Sequence, residues 1–269
     1  MRYSGLQPQY FPRLHYIARI LHADIYMARD EVQFVTKHKY PGDRVDKSYQ
    51  AHTPVKHSFG RHLLCVPTIH SGYTAIMETK IAYQNKWNHD HLKALQFAYS
   101  KALNFKKLYP QIDYLLNKKY QNLADLNLTT IHWAVLHLIG VELIEIDKMN
   151  LDLVNEKLKD QKKFRLKKII RASQTRSYKN FNNLGPNEKI LALCQEVGAT
   201  EDFCGGTAMT AYVDHDIFEK NGIKIIVQDW KGREYLQQFT KQHGFIANLS
   251  IIDLLMNVPL KEAQKIISG

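Results

Sequence analysis

The alternation of strand and helix patterns in the last hundred residues constrains the fold more than any other feature of the chain. Short apolar runs within KKIIRAS (167–173) and IKIIVQDW (223–230) predict strands, whereas PNEKILALCQEVGA (186–199) has the three-and-four spacing of a helix. The first 34 residues read as strand, proline-containing loop, helix and strand, which is a βαβ unit. Alternating strands and helices are typical of a parallel sheet with helices on both faces. We therefore predict an α/β fold with a Rossmann-like, mostly parallel sheet.

The middle of the chain predicts helices instead. Apolar residues recur at three and four spacings in 88–103, 109–120 and 128–141, and Gly140 is expected to end the third helix. We expect VELIEI (141–146) to be a strand and 206–222 to be one helix. The predicted organisation is a single domain, 1–269, with an N-terminal α/β part (1–83), a helical middle insertion (84–140) and a C-terminal α/β part (141–269).

The chain is basic, because 37 Lys and Arg against 26 Asp and Glu give a net charge of +11. Such a balance favours anionic partners such as phosphates, nucleotides, nucleic acid or acidic lipid headgroups. Eight of the basic residues, with one acid among them, fall between Lys157 and Arg171. This stretch is either a patch that binds anions or a membrane surface, or a solvated helix face. Nucleic acid is not the favoured partner, since no zinc finger, basic zipper or RNP motif is present.

Other features bear on the compartment. No run of about 18 apolar residues predicts a transmembrane helix, and the N-terminus does not resemble a secretory signal. The three cysteines have no CxxC spacing, so we expect a reduced cytoplasmic protein without a disulfide framework. We expect no metal site and no cofactor. The sequence leaves the oligomeric state open.

Ligands of such sheets bind at the carboxyl edge of the strands, so the loops that follow the predicted strands are the candidate site. Gly205 and Gly206, between a predicted strand and a helix, either cradle a phosphate or only form a tight turn. Cys204 is there either an activated nucleophile or an inert thiol. Asp30 could orient or deprotonate an acceptor, or be a solvated turn residue. His15 could act as acid or base, or lie on the helix surface.

The chain resembles the WbqC-like family of bacterial proteins. The resemblance lies in LQPQYFPRLHY, HADIYMARDEVQF, LLCVP, the segment 87–91, GATEDFCGGTAMTAYV, GIKIIVQDW, REYLQQF and FIANLSIIDLLMN, which follow one another in family order. The positions that match family motifs are Gln7, Pro8, Tyr10, Phe11, Asp30, Val32, Gln33, Arg44, Ser250, Asp253 and Asn257. Two positions depart from the family, since Leu6 replaces a common histidine and Arg13 a common tryptophan. The segment TKHKYPGDR also departs from its usual form.

The family is associated with the synthesis of O-antigen and other surface polysaccharides. The resemblance therefore implies a transferase that moves an acyl, aminoacyl or similar group to an activated sugar, with a phosphate-bearing substrate such as a nucleotide sugar. Asp30 and His15 are the candidate catalytic residues. The candidate substrate-binding residues are Gln7, Tyr10, Gln33, Arg44, Ser173, Gly205, Gly206, Thr207, Tyr212, Ser250 and Asp253.

Two other functions remain open. One is nucleotidyl transfer or adenylate-forming ligation, in which the opening strand, the proline loop, the helix and the second strand hold ATP and His15 stabilises the charge of its phosphates. The other is a basic module that binds nucleic acid or an anionic membrane through residues 157–171. The sheet-edge hypothesis makes a geometric prediction of its own: Tyr10, Asp30, Ser173 and Gly205 should line one cleft.

Overall fold

The computed structural model describes residues 1–39, 45–143, 145–206 and 213–269. Its strands are β1 (Arg2–Leu6), β2 (Ile25–Ala28), β3 (Lys37–Lys39), β4 (Val45–Lys47), β5 (His52–His57), β6 (Gly60–Cys65), β7 (Thr68–Ile69), β8 (Lys80–Ile81), β9 (Lys168–Arg171), β10 (Glu201–Cys204) and β11 (Lys224–Val227). Its helices are α1 (Leu14–His22), α2 (Trp87–Tyr99), α3 (Phe105–Asn117), α4 (Leu123–Leu138), α5 (Leu151–Asp160), α6 (Pro186–Glu196), α7 (His215–Lys220), α8 (Thr240–His243), α9 (Ile251–Asn257) and α10 (Leu260–Ser268).

Five strands form one parallel sheet, in the order β11, β10, β1, β2, β9. The remaining strands form three antiparallel pairs, β3 with β4, β5 with β6 and β7 with β8. The predicted Rossmann-like α/β fold is therefore confirmed.

The position of the first strand at the centre of the sheet creates a topological switch point. The chain adds β2 and β9 on one side of β1 and then returns to add β10 and β11 on the other side. The crevice outside the carboxyl ends of β1 and β10 is the place where sheets of this kind bind ligands. The fold therefore points to the loops after Leu6 and Cys204.

Helices cover both faces of the sheet. On one face, α1 packs against α4, α9 and α10, and its buried side chains include Leu14, Ile17 and Leu21. On the other face, which we call the α6 face, a separate apolar cluster joins Met27 of β2 to α6 and α7. Each face excludes water from one set of alternate side chains, as a parallel sheet requires.

The predicted middle helices are confirmed as α2, α3 and α4, and Gly140 follows the third with a φ of +85°. The predicted strand at 141–146 is wrong: residues 141–143 are irregular and a 3₁₀ turn begins at Ile146. The single helix predicted over 206–222 is also wrong, because residues 213 and 214 are not helical and α7 begins after Asp214, whose side chain accepts the N–H groups of residues 216 and 217. Residues 207–212 of that prediction lie outside the described residues.

Candidate functional site

A group of charged side chains joins the loops after β2 and β9, and we call it the β2–β9 cluster. Arg171 Nε donates to Asp30 Oδ2 over 2.8 Å, and another of its nitrogens donates to Asp125 Oδ1 over 2.7 Å. Ser173 donates to the same Asp30 carboxylate from its backbone N–H at 3.1 Å and from its hydroxyl at 2.7 Å. The structure thus brings together Asp30 and Ser173, two of the predicted site residues, and adds Arg171 and Asp125.

Asp30 cannot deprotonate an acceptor in this arrangement. Its side chain has no exposed surface, and both carboxylate oxygens already accept hydrogen bonds. Asp30 instead holds Arg171 and Ser173, which are half-buried and reach the carboxyl edge of the sheet. The motif that contains Asp30 therefore fixes the positions of Arg171 and Ser173 at the edge of the site.

A second group lies at the topological switch point, and we call it the switch-point cluster. A Cβ added to Gly205 would lie 2.7 Å from Arg19 Nη2, so the absence of a side chain at Gly205 lets the guanidinium rest against the backbone. Arg19 Nε donates to Gln228 Oε1 over 2.8 Å, and Gln228 Nε2 donates to the carbonyl of His15 over 2.9 Å. These contacts place an arginine beside the turn for which the sequence left open a phosphate cradle or only a tight turn.

The backbone N–H groups at the start of α1 already form hydrogen bonds with residues near the C-terminus. Leu14 N–H donates to the carbonyl of Leu249 and His15 N–H to Asn248 Oδ1, each over 3.1 Å. The His15 ring also pairs with Asn248 Oδ1, with Nδ1 at 2.9 Å, and burial lowers the pKa of His15 to about 4. The imidazole is neutral near pH 7, so it brings no positive charge to a phosphate. The predicted seat for ATP phosphates at this helix start is therefore occupied by Asn248 and Leu249.

The first glutamine motif contributes to packing and to a chain of amides. Tyr10 has no exposed surface and its hydroxyl lies 3.0 Å from His91 Nδ1, so it does not line a cleft. Gln50 Nε2 donates to Gln7 Oε1 over 2.7 Å and to the carbonyl of Gln33 over 3.4 Å. Gln7 and Gln33 are thereby joined through Gln50, a residue that the sequence did not single out.

The C-terminal motif is part of the core. Ser250 caps α9 by accepting the N–H of Ile252. Asp253 is fully buried and accepts hydroxyl hydrogen bonds from Tyr99 at 2.7 Å and Tyr235 at 2.8 Å, and burial raises its pKa to about 6. Ser250 and Asp253, predicted to bind substrate, are placed where no ligand reaches them in this conformation.

The four residues predicted to line one cleft therefore lie in three different places. Asp30 and Ser173 belong to the β2–β9 cluster, Gly205 to the switch-point cluster, and Tyr10 to the core. Gly206 is exposed at the end of β10, next to Gly205. Three other predicted substrate-binding positions lie outside the described residues: Arg44, Thr207 and Tyr212.

Cys204 does not have the properties of an activated nucleophile. The residue is 8% exposed, and burial raises the pKa of its thiol to about 11. A thiol of this kind is largely protonated near pH 7, so the inert alternative fits the structure.

The basic stretch 157–171 is only partly available to a partner. Arg165 forms two hydrogen bonds of 2.9 Å with the carboxylate of Asp24, and Arg171 is held by Asp30 and Asp125. Six lysines of the stretch are exposed: Lys157, Lys159, Lys162, Lys163, Lys167 and Lys168.

Within residues 1–39, 45–143, 145–206 and 213–269, no cluster of three or more His, Cys, Asp or Glu side chains is arranged to hold a metal ion. None of the helices in those ranges combines the length and the apolarity that crossing a bilayer requires.

Sequence reasoning missed Arg19, Arg171, Asp125 and Asn248. Arg171 had a visible signal, since it is the basic residue that closes the apolar run KIIR directly before a predicted edge loop. Arg19 and Asn248 had none, because their partners are more than 180 residues away along the chain.

Comparison with known proteins assigns the chain to a family. A protein of Mycobacterium tuberculosis (strain ATCC 25618 / H37Rv), named uncharacterized protein Rv1507c, is 25% identical over 260 residues, covering 94% of this chain and 92% of the relative. No solved structure matches the chain. The model of the WbqC-like protein family matches residues 7–265, from the proline loop after β1 to the last helix, and the chain therefore belongs to the WbqC-like protein family.

Proposed function

We propose that this protein is a transferase of bacterial surface-polysaccharide biosynthesis that acts on a phosphate-bearing substrate such as a nucleotide sugar. The transferred group is an acyl, aminoacyl or similar group, and the acceptor is the activated sugar. Support for the biological role comes from the association of WbqC-like proteins with surface polysaccharides. Support for the chemistry comes from the carboxyl edge of the sheet.

The observation that carries the proposal is the contact between Arg19 and Gly205 at the switch point. A guanidinium matches the geometry of a phosphate and forms paired hydrogen bonds with its oxygens. Gly205 and the exposed Gly206 give an anion close access to the backbone at the same place. Arg19 is therefore the residue that we expect to hold the substrate phosphate.

The distance from the switch-point cluster to the β2–β9 cluster indicates how long the substrate is. Strands β9 and β10 are separated by β2 and β1, so their carboxyl ends are three strand spacings apart, or about 14 Å. A substrate with its phosphate at Arg19 and its reacting sugar near Ser173 has to extend over that distance. A nucleotide sugar is long enough, whereas a free phosphate or a monosaccharide is not. Asp30 acts here as a positioning residue for Arg171 and Ser173.

Thermal-shift titration of the full chain tests the proposal. The probes are nucleotide sugars, nucleotides, acyl-CoAs and a short DNA duplex, and a ligand at one hundred times its Kd should stabilise the fold by about 2.7 kcal/mol. We expect a shift with a nucleotide sugar that is lost in Arg19→Gln and in Gly205→Val, because valine displaces the guanidinium. Arg61→Gln, an exposed arginine on β6, is the matched control and should keep the shift.

Each variant is compared with its own ligand-free Tm, so that a loss of stability is not mistaken for a loss of binding. A shift with ATP but not with nucleotide sugars would favour the nucleotidyl-transfer alternative. A shift with DNA alone, removed by moderate salt, would favour binding through the exposed lysines of 157–171. Retention of the nucleotide-sugar shift in both Arg19→Gln and Gly205→Val would overturn the assignment of Arg19.

A further inference from the structure

A cluster of buried polar side chains lies on the α6 face of the sheet. Tyr3 of β1 and Asp202 of β10 are register partners, so their side chains leave the sheet on the same face. The Tyr3 ring lies flat along β1, and a Cβ on Gly5 would overlap its hydroxyl. The hydroxyl therefore points along the strand towards the carboxyl edge, where Arg29 and Glu31 follow β2. We call Tyr3, Arg29, Glu31 and Asp202 the Tyr3 cluster.

Two atoms of this cluster are buried without a hydrogen-bond partner, namely Tyr3 Oη and Glu31 Oε2. Tyr3 has no exposed surface, and the Glu31 side chain is 4% exposed. Native structures rarely leave such atoms unpaired, because their water is lost on folding without replacement. Two of them in one cluster make it a candidate site for a hydrogen-bonding ligand.

The charges of the cluster indicate what the ligand is. Arg29 Nε pairs with Glu31 Oε1, which accounts for one of the two carboxylates. Asp202 is 5% exposed, and burial raises its pKa to about 6, with Arg29 and Arg19 acting in the opposite direction. The other titratable group facing Tyr3 is the Cys194 thiol of α6, whose pKa burial also raises. Among the four residues of the cluster, two carboxylates therefore face one arginine, and Arg19 is the second arginine near Asp202.

From this geometry we propose that the Tyr3 cluster binds the ammonium group of a primary amine. An ammonium has three N–H donors and no acceptor, and the cluster offers three acceptors: Glu31 Oε2, the Asp202 carboxylate and Tyr3 Oη. A phosphate or carboxylate would face two carboxylates, and a water molecule has only two donors. The ligand class is therefore a small primary amine, such as an amino acid or an amino sugar.

Ammonium ion itself is the probe, because it carries the recognised group without a side chain. The full chain is titrated with ammonium chloride, and with the chlorides of sodium, potassium and tetramethylammonium at equal ionic strength, while Tm is measured. We expect ammonium to raise Tm above all three controls. Tetramethylammonium has the same charge but no N–H donor, so it separates hydrogen bonding from charge.

Two conservative variants locate the effect. Glu31→Gln removes the negative charge of one acceptor, and Tyr3→Phe removes only the hydroxyl, so each should weaken ammonium binding at least about tenfold. Without ammonium, Tyr3→Phe should have an unchanged or higher Tm, because it removes an unpaired buried hydroxyl. Glu219→Gln, an exposed glutamate on α7, is the control and should bind as the original protein does.

The outcomes are separate from those of the nucleotide-sugar assay, since neither Arg19 nor Gly205 is changed. Equal Tm in ammonium and in sodium or potassium would overturn the proposal, as would ammonium binding that persists in both Glu31→Gln and Tyr3→Phe. A Tyr3→Phe variant that loses stability without ammonium would show that the hydroxyl already has a partner, and would also refute it.

Discussion

Replacement of Asp30 by asparagine removes the charge that holds the β2–β9 cluster. The side chain has no exposed surface, and its carboxylate accepts from Arg171 and twice from Ser173. Loss of one partner of a buried ion pair costs about 3–5 kcal/mol. The low end applies here, because Arg171 keeps Asp125 and its side chain is 21% exposed. We therefore expect Asp30→Asn to lower the free energy of unfolding by about 3 kcal/mol.

Urea denaturation monitored by circular dichroism measures this change. The control is Asp229→Asn, which alters an ion pair with Lys231 whose side chains are 87% and 86% exposed, and no measurable change is expected there. Combination of Asp30→Asn with Arg171→Gln should show a coupling of about 1–3 kcal/mol, because both substitutions break the same contact. A loss below about 1 kcal/mol, or additive effects, would refute the positioning role. Full stability with lost transfer activity would return Asp30 to the list of catalytic residues.

Two further predictions concern stability. Ser250→Ala removes the hydroxyl that accepts the N–H of Ile252 at the start of α9 and donates to the carbonyl of Phe11. We expect it to lower the free energy of unfolding in urea by about 1–2 kcal/mol. An unchanged denaturation midpoint would contradict the capping role. Burial lowers the pKa of His132 to about 4 from 6.5, so the folded protein resists its protonation and loses stability as the pH falls from 6.5 to 4. Between pH 7 and pH 4, the free energy of unfolding of His132→Leu should therefore rise by on the order of 3 kcal/mol relative to that of the original protein. Parallel plots of unfolding free energy against pH for the two proteins would contradict this.

Local sequence patterns were enough to predict the central sheet and most of its helices. The run KIIR became β9, the proline-started segment at 186 became α6, and Leu14, Ile17 and Leu21 face the core from α1 as their spacing requires. These features depend on periodicity over a few residues, which the chain displays directly. The carboxyl edge followed from the same information, since strand order and crossover handedness place the loops together.

The hydrogen-bond partners of individual side chains could not be predicted from the sequence. Asp30 was visible as an acid at a strand end, but only the pairing of β2 with β9 brings Arg171 against it across 141 residues. Tyr10 belongs to a site motif by resemblance, yet α2 carries His91 to its hydroxyl and buries both. The physical reason is that hydrogen bonds form between groups that packing brings within about 3 Å, and packing is decided by every element of the fold at once.

The sequence by itself determined the alternation of strands and helices, the helical middle, the basic character and the family. The tertiary structure decided which candidates are reachable. It closed the start of α1 with Asn248, placed Asp253 in the core and set Arg19 beside Gly205. It also left Tyr3 and Glu31 with unpaired buried atoms. Periodicity assigns a side chain to a face of an element, but only the packing of the elements determines whether that face meets solvent, a ligand or another side chain.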